Sequence, residues 1–73
     1  MTKKTRMFYD IEQQRWCVRI RERNVGMHCG EQMDLYIGQK AISCRLELDR
    51  SWYEIMGETR FNLREIDHYI VSI

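Results

Sequence analysis

The chain has 73 residues, a length that fits one small domain, in which folding buries only about 60% of the surface of the unfolded chain. Its 12 basic and 11 acidic residues leave a net charge of +1, which argues against a uniformly basic nucleic-acid-binding protein. Hydrophobic residues make up 44% of the chain and charged residues 32%, as in globular domains. Proline and linker-like stretches are absent, so we expect one β-rich domain over residues 1–73, with a frayed tail at residues 1–4.

Alternation of apolar and polar residues predicts short β-strands along most of the chain. The first candidate strand covers residues 5–10, Gln13-Gln14 then turns the chain, and residues 16–21 alternate strictly. Residues 32–37 and 42–49 follow, joined by a two-residue hairpin turn at Gly38-Gln39. Further strands are expected at 52–56 and 69–73, whereas residues 58–67 fit neither period and predict a loop with one helical turn.

Five or six short strands joined by tight turns predict one antiparallel sheet, and rolling that sheet removes exposed strand edges. We therefore predict an all-β domain, a single small antiparallel sheet rolled into a partly open SH3-like barrel, with at most one short helical turn. The strand pattern places Cys44 on the apolar face of its strand with Leu46. It places Cys17 on the polar face of its strand, opposite Trp16.

Four residues offer the side chains of a structural zinc site. Cys17, His28, Cys29 and Cys44 would give a Cys3His set, and a bound metal would help to stabilise so short a chain. Their sulfurs are scattered singly, however, whereas zinc sites usually use pairs two to four residues apart. A zinc-stabilised structural module is therefore a secondary hypothesis, and no cofactor is expected.

The segment from Gly26 to Glu31 places a His-Cys pair between two glycines. We expect Gly26 and Gly30 to adopt positive φ values, which a side chain would resist at about 1–2 kcal/mol per residue. Because cysteine is usually buried, Cys29 is expected to point inward and His28 to be partly exposed. Neighbouring side chains point apart in extended backbone, so the pair does not predict a nucleophile with its base, and no enzyme activity is expected.

Exposed aromatic and arginine side chains are the candidates for partner binding. Trp52 and Tyr53 are consecutive, so one of the two rings should reach the surface, and arginines beside an exposed ring are typical of protein–protein hot spots. The predicted partner-binding residues are Arg45, Trp52, Tyr53, Arg60 and His28. This set predicts a non-enzymatic module that binds another protein, as a monomer or a homodimer.

The first two dozen residues carry a local excess of basic side chains. The basic residues are Lys3, Lys4, Arg6, Arg15, Arg19, Arg21 and Arg23, and the acidic ones are Asp10, Glu12 and Glu22. Such charges often serve only to keep the edges of a sheet soluble. Combined with surface aromatic residues, they also fit a small barrel that binds nucleic acid, which is our alternative hypothesis.

Four segments resemble an uncharacterised small bacterial family, a domain of unknown function with a Gly-Leu-His-Cys-Gly-Glu signature. The segments are Phe8-Tyr9, Gly26-Met27-His28-Cys29-Gly30-Glu31, Arg45-Leu46-Glu47 and Trp52-Tyr53. The resemblance covers residues 7–57 and, more weakly, residues 69–71, and it includes neither Cys17 nor Cys44. It implies a small β-rich domain carried by Firmicutes genomes, phages and conjugative elements.

By analogy with other small proteins of such elements, the resemblance suggests an inhibitor of a larger bacterial protein. An anti-CRISPR protein directed at a Cas nuclease is the most specific form of this hypothesis. No apolar run follows Thr2-Lys3-Lys4 or reaches the length of a membrane span, so neither a signal peptide nor a membrane partner is expected. Three cysteines do not suit a disulfide framework, and we expect a cytoplasmic location in the bacterial host cell.

Overall fold

The computed structural model describes residues 4–73, which form a single antiparallel sheet of eight strands. The strands are β1 (Lys4–Asp10), β2 (Arg15–Ile20), β3 (Arg23–Gly26), β4 (Gln32–Ile37), β5 (Lys40–Leu48), β6 (Trp52–Met56), β7 (Thr59–Asn62) and β8 (Tyr69–Ser72). Their order across the sheet is β3-β2-β1-β8-β4-β5-β6-β7. The predicted all-β class and single antiparallel sheet are confirmed, and the sheet stays open between β3 and β7 instead of closing into a barrel.

Two of the eight strands lie where the sequence pattern predicts no strand. Strand β7 pairs with β6 across a tight turn at Gly57-Glu58, so the first half of residues 58–67 is a strand and not a loop with a helical turn. Strand β3 pairs with β2 in the same way, through a turn at Arg21-Glu22. The predicted hairpin turn at Gly38-Gln39 is confirmed, since Ile37 pairs with Lys40.

The frayed tail expected at residues 1–4 is wrong at its last residue. Lys4 begins β1 and pairs with Ser72 on β8, at the other end of the chain. Residues 1–3 lie outside the described part of the chain. The pairing of β1 with β8 joins the two ends of the chain in the middle of the sheet, which brings residues distant in sequence onto one surface.

The hydrophobic core lies on one face of the sheet, and we call the opposite side the outer face. Alternation places the core residues, because side chains at every second position of a strand share a face. The buried core cluster consists of Met7, Trp16, Val18, Met27, Met33, Leu35, Cys44, Leu46, Leu63 and Val71. Members of neighbouring strands pair directly, as Met33 does with Cys44 and Leu35 does with Val71.

The three cysteines have three different environments. Cys44 is buried in the core, as predicted, and its thiol donates a hydrogen bond to the carbonyl oxygen of Met33 over 3.4 Å. Cys17 does point away from the core cluster, but it is fully buried, so its expected exposure on a polar face is wrong. Its neighbours across the sheet are the half-buried Phe8 and Gly26, and its thiol donates a weak hydrogen bond to the carbonyl oxygen of Arg15 over 3.8 Å.

Serine substitutions distinguish the buried cysteines from the exposed Cys29. Cys17→Ser and Cys44→Ser should each lower the free energy of unfolding by about 1–3 kcal/mol, because each places a hydroxyl where little water reaches it. Cys29→Ser is the matched control, and its change should stay within about 0.5 kcal/mol. Urea denaturation of the wild type and the three variants measures these differences. A Cys17→Ser protein as stable as the wild type would contradict the burial of this thiol.

Candidate functional site

The loop from Gly26 to Glu31 follows β3 and is hydrogen-bonded to β5 at Leu46. The backbone N–H of Gly30 donates to the carbonyl oxygen of Leu46 over 2.7 Å, and the N–H of Leu46 donates to the carbonyl oxygen of Glu31 over 2.9 Å. The carboxylate of Glu31 also accepts a hydrogen bond from the backbone N–H of His28 over 3.0 Å. These hydrogen bonds give the loop from Gly26 to Glu31 a structural role.

The two glycines of this loop serve different purposes. Gly30 has a φ of +87°, as predicted, and such backbone favours glycine. The positive φ predicted for Gly26 is wrong, and this glycine is needed for space instead. A Cβ atom on Gly26 would lie 2.6 Å from Cδ of Arg15, which packs over this position.

The His-Cys pair faces outward. Both His28 and Cys29 are exposed, so the inward orientation predicted for Cys29 is wrong. The buried residue of the segment is Met27, whose backbone N–H donates to the carbonyl oxygen of Trp16 over 2.7 Å. The position in the loop therefore outweighs the general preference of cysteine for burial.

The four residues of the zinc hypothesis are not brought together. Cys44 lies in the core, Cys17 is buried on the outer face, and His28 and Cys29 are exposed in the loop. Within residues 4–73, no three His, Cys, Asp or Glu side chains form a group that could hold a metal ion. The Cys3His set that composition suggests is thus not assembled by the fold.

Three of the five predicted partner-binding residues gather on the outer face of β5, β6 and β7. These three are Arg45, Tyr53 and Arg60. Ile55 pairs with Arg45 on one side and with Arg60 on the other, so these side chains share a face. Tyr53 lies two positions before Ile55 on the same strand and therefore points to that face as well. Trp52 points to the opposite face and packs against the core, which confirms that the two consecutive rings separate. His28 lies elsewhere, in the loop beside Arg15.

Arg60 is held by contacts on several sides. Its guanidinium carbon lies 3.7 Å from the centroid of the Tyr53 ring, and its two Nη atoms donate to the carboxylate of Asp49 over 2.9 and 3.3 Å. Its Nε atom donates to the side-chain oxygen of Asn62 over 2.9 Å. The ion pair with Arg60 lowers the pKa of Asp49 to about 2. This arginine is already neutralised within the chain, and so is Arg45, which pairs with Glu47.

The basic residues of the first three strands are not neutralised in this way. All three ion pairs found in residues 4–73 lie between Arg45 and Asp67. Residues 1–26 hold seven basic and three acidic side chains, whereas residues 27–73 hold five basic and eight acidic ones. The near-zero net charge is therefore the sum of a basic part, residues 1–26, which we call the basic end, and an acidic part, residues 27–73. The composition of the whole chain does not show this division.

Arg6 and Arg19 form the centre of the basic end. The register that pairs Met7 with Val18 places Arg6 beside Arg19 on the outer face of β1 and β2, and both side chains are exposed. Like charges side by side on adjacent strands repel each other. No carboxylate in the described part of the chain forms an ion pair with either arginine.

A groove next to these arginines was not predicted from the sequence. It has a volume of about 410 Å³ and is lined by Arg6, Phe8, Arg19, Asn24 and His68. Asn24 comes from β3 and His68 precedes β8, so the groove exists only because these two segments flank the β1–β2 hairpin. We call it the basic groove. The sequence signal that points to it is the N-terminal basic excess, which identifies two of its five residues.

A fully buried carboxylate on β6 was also missed. Glu54 faces the core between Leu46 on β5 and Phe61 on β7, and neither of its carboxylate oxygens has a hydrogen-bond partner in the described residues. Burial raises the pKa of Glu54 to about 7, with the nearby Cys44 thiol partly offsetting the shift. Burial, together with Glu54, in turn raises the pKa of Cys44 to about 12, so this thiol is not a reactive thiolate.

Comparison with known proteins identifies a family but no activity. A crystal structure of a protein from Ruminococcus gnavus superposes with a TM-score of 0.79, at 27% identity over 97% of this chain and 100% of that chain. No curated protein matches the sequence. Residues 4–73 contain no helix that could span a membrane. The profile of DUF5348, a domain of unknown function, matches residues 5–73, including the part after residue 57 that the resemblance covered least. The chain is therefore a member of the DUF5348 family.

Proposed function

We propose that this protein is a non-enzymatic binding module that binds nucleic acid through its basic end. The observation that carries the proposal is the pair of adjacent exposed arginines, Arg6 and Arg19, which have no carboxylate partner in the described residues. Guanidinium groups bind phosphate well because their planar donors match two phosphate oxygens at once. A phosphodiester between the two arginines would also relieve their mutual repulsion.

Two further basic side chains extend the charge along the same face. Lys4 lies on the same strand as Arg6, with its ammonium nitrogen 4.4 Å from the centroid of the Tyr36 ring. Arg15 lies on the same strand as Arg19 and contacts His28, not a carboxylate. The one acidic residue of these two strands, Asp10, accepts hydrogen bonds from the turn that follows it. Because Asp10 lies opposite Arg15 in the register, the positive charge on the outer face of the hairpin is centred on Lys4, Arg6 and Arg19.

Salt dependence tests this function. Fluorescence anisotropy with a labelled oligonucleotide should show binding at 50 mM salt that weakens about 100-fold by 200 mM, as expected for about four phosphate contacts. The double variant Arg6→Gln/Arg19→Gln should lose about half of the slope of log affinity against log salt. Arg50→Gln is the matched control, because it removes one exposed charge outside this face. Absence of binding at 50 mM salt, or equal slopes for the double variant and the control, would overturn the proposal.

Protein binding is a second candidate function. It is supported by the outer face of β5–β7, where Arg60 is held against Tyr53 and Asp49 and offers a pre-ordered aromatic surface to a partner. Rigid aromatic and arginine side chains are enriched at interface hot spots. The partner would be another bacterial protein, and inhibition of a Cas nuclease remains its most specific form. Because the arginines here are already ion-paired, such an interface should depend on salt much less than phosphate contacts do.

A further inference from the structure

We propose that the basic groove holds one unpaired nucleotide of a single-stranded nucleic acid, with its phosphate on Arg6 and Arg19 and its base against Phe8 and His68. This inference rests on the proposed function and adds the class of nucleic acid and the part of it that is recognised. It is argued from the volume of the groove, the arrangement of its charges and the geometry of its two rings.

The size of the groove fits a small ligand and not an extended helix. Its volume of about 410 Å³ lies at the lower end of the range of small-molecule sites, which is about 300–1,000 Å³. A base that is stacked and paired inside a duplex cannot enter a depression of this kind without leaving its helix, whereas the bases of a single strand are free to do so. The groove therefore favours a strand whose bases are unpaired.

The phosphate side of the groove has an oriented donor. Arg19 donates from its Nη1 atom to the side-chain oxygen of Asn24 over 3.0 Å, and its other guanidinium donors have no hydrogen-bond partner among residues 4–73. Arg6 lies beside Arg19 without an ion-pair partner in residues 4–73. Asn24 on the edge strand β3 is the register neighbour of Arg19 on β2, so β3 fixes the direction of the Arg19 side chain. Two guanidinium groups, one of them fixed, suit a single phosphate.

The base side of the groove has two aromatic rings. Phe8 and His68 meet edge to face, with ring centroids 6.3 Å apart and an interplanar angle of 60°. Phe8 is half-buried and anchors the pair, while His68 is exposed and lines the groove. Stacking on such rings tolerates any base, since every base has a π face, and it is combined with basic grooves in proteins that bind single strands.

Comparing a single strand with a duplex tests the inference. Anisotropy titrations use the full chain with a labelled 12-nucleotide single strand, a 12-base-pair duplex of the same sequence, and adenosine monophosphate as a competitor. The wild type should bind the single strand at least about tenfold more tightly than the duplex, and His68→Ala should remove most of that preference, because one stacked base contributes about tenfold or more. Ile66→Ala is the matched control, since Ile66 is exposed in the same loop and lies outside the groove.

Each outcome of this comparison decides the question. A preference for the single strand that His68→Ala abolishes and Ile66→Ala keeps supports the inference. Equal affinity for the two oligonucleotides, or a preference that His68→Ala leaves intact, overturns the inference but not the proposed function. Adenosine monophosphate that competes as well as the single strand would show a free nucleotide to be the ligand and would overturn the strand assignment. Lack of binding to any of the three would overturn both proposals.

Discussion

Trp16→Ala should lower the free energy of unfolding by about 3–5 kcal/mol, the usual cost of truncating a buried tryptophan. Trp16 has no exposed surface, and its ring centroid lies 5.6 Å from that of Tyr9 and 5.5 Å from that of Tyr69. Tyr69 in turn contacts Phe61, with centroids 5.9 Å apart. The substitution therefore loosens β1, β2, β7 and β8 together. A domain of this size is stable by only about 4–11 kcal/mol, so much of its stability would be lost.

Two further variants test whether the loss of stability comes from the buried position of Trp16 and not from the removal of any tryptophan. Trp16→Phe keeps an aromatic ring and removes an indole N–H that has no hydrogen-bond partner in residues 4–73, so its cost should be smaller than that of alanine. Trp52→Ala is the matched control and should also cost less, since Trp52 is half-buried. Urea denaturation followed by far-UV circular dichroism avoids reliance on tryptophan fluorescence. A loss below about 1 kcal/mol for Trp16→Ala would contradict its central position in the core.

Strict alternation made much of the fold predictable, and its absence explains the missed strands. On β5, Cys44 and Leu46 alternate with charged residues, so both the strand and its inward face follow from the sequence. Strand β3 carries no core residue, since Arg23 and Val25 are exposed at the edge of the sheet. Strand β7 has four residues and turns only Phe61 toward the core. Period two cannot be detected in strands with one inward apolar residue or none.

The candidate site depends on pairings that no local pattern specifies. The β1–β2 hairpin could be predicted, but the register that brings Arg6 beside Arg19 could not, because the turn covers residues 11–14 and not only Gln13-Gln14. His68 reaches the groove only because β8 pairs with β1, and these two strands come from opposite ends of the chain. For Glu54 the local pattern does give the position, since period two places it on the core face of β6 with Trp52. A charged residue is not expected in a core, however, so its burial was not predicted. Nonlocal pairing and buried charge are the features that the sequence pattern left hidden.

The buried carboxylate of Glu54 should make the stability of this protein fall as pH rises from about 4.5 to about 7. Burial raises the pKa of this group from its ordinary value of 4.5 to about 7 in the folded state, and neither oxygen has a hydrogen-bond partner in the described residues. Between these two values the folded chain binds one proton more than the unfolded chain, so the free energy of unfolding decreases with pH. The stabilisation by the protonated acid is complete below about pH 4.5 and is lost above about pH 7, a change of about 3 kcal/mol.

Glu54→Gln removes this titration while keeping the shape of the side chain. The difference in unfolding free energy between the wild type and Glu54→Gln should therefore shift by about 3 kcal/mol in favour of the variant between pH 4.5 and pH 8. Urea denaturation of both proteins at half-unit steps of pH measures this difference. Because the other carboxylates titrate in both proteins, their contributions cancel when the two unfolding free energies are subtracted. Glu58→Gln is the matched control, because Glu58 is exposed in the turn between β6 and β7, and its profile should follow the wild type. Parallel profiles for the wild type and Glu54→Gln would show that the carboxylate of Glu54 reaches water or a hydrogen-bond donor in the folded protein.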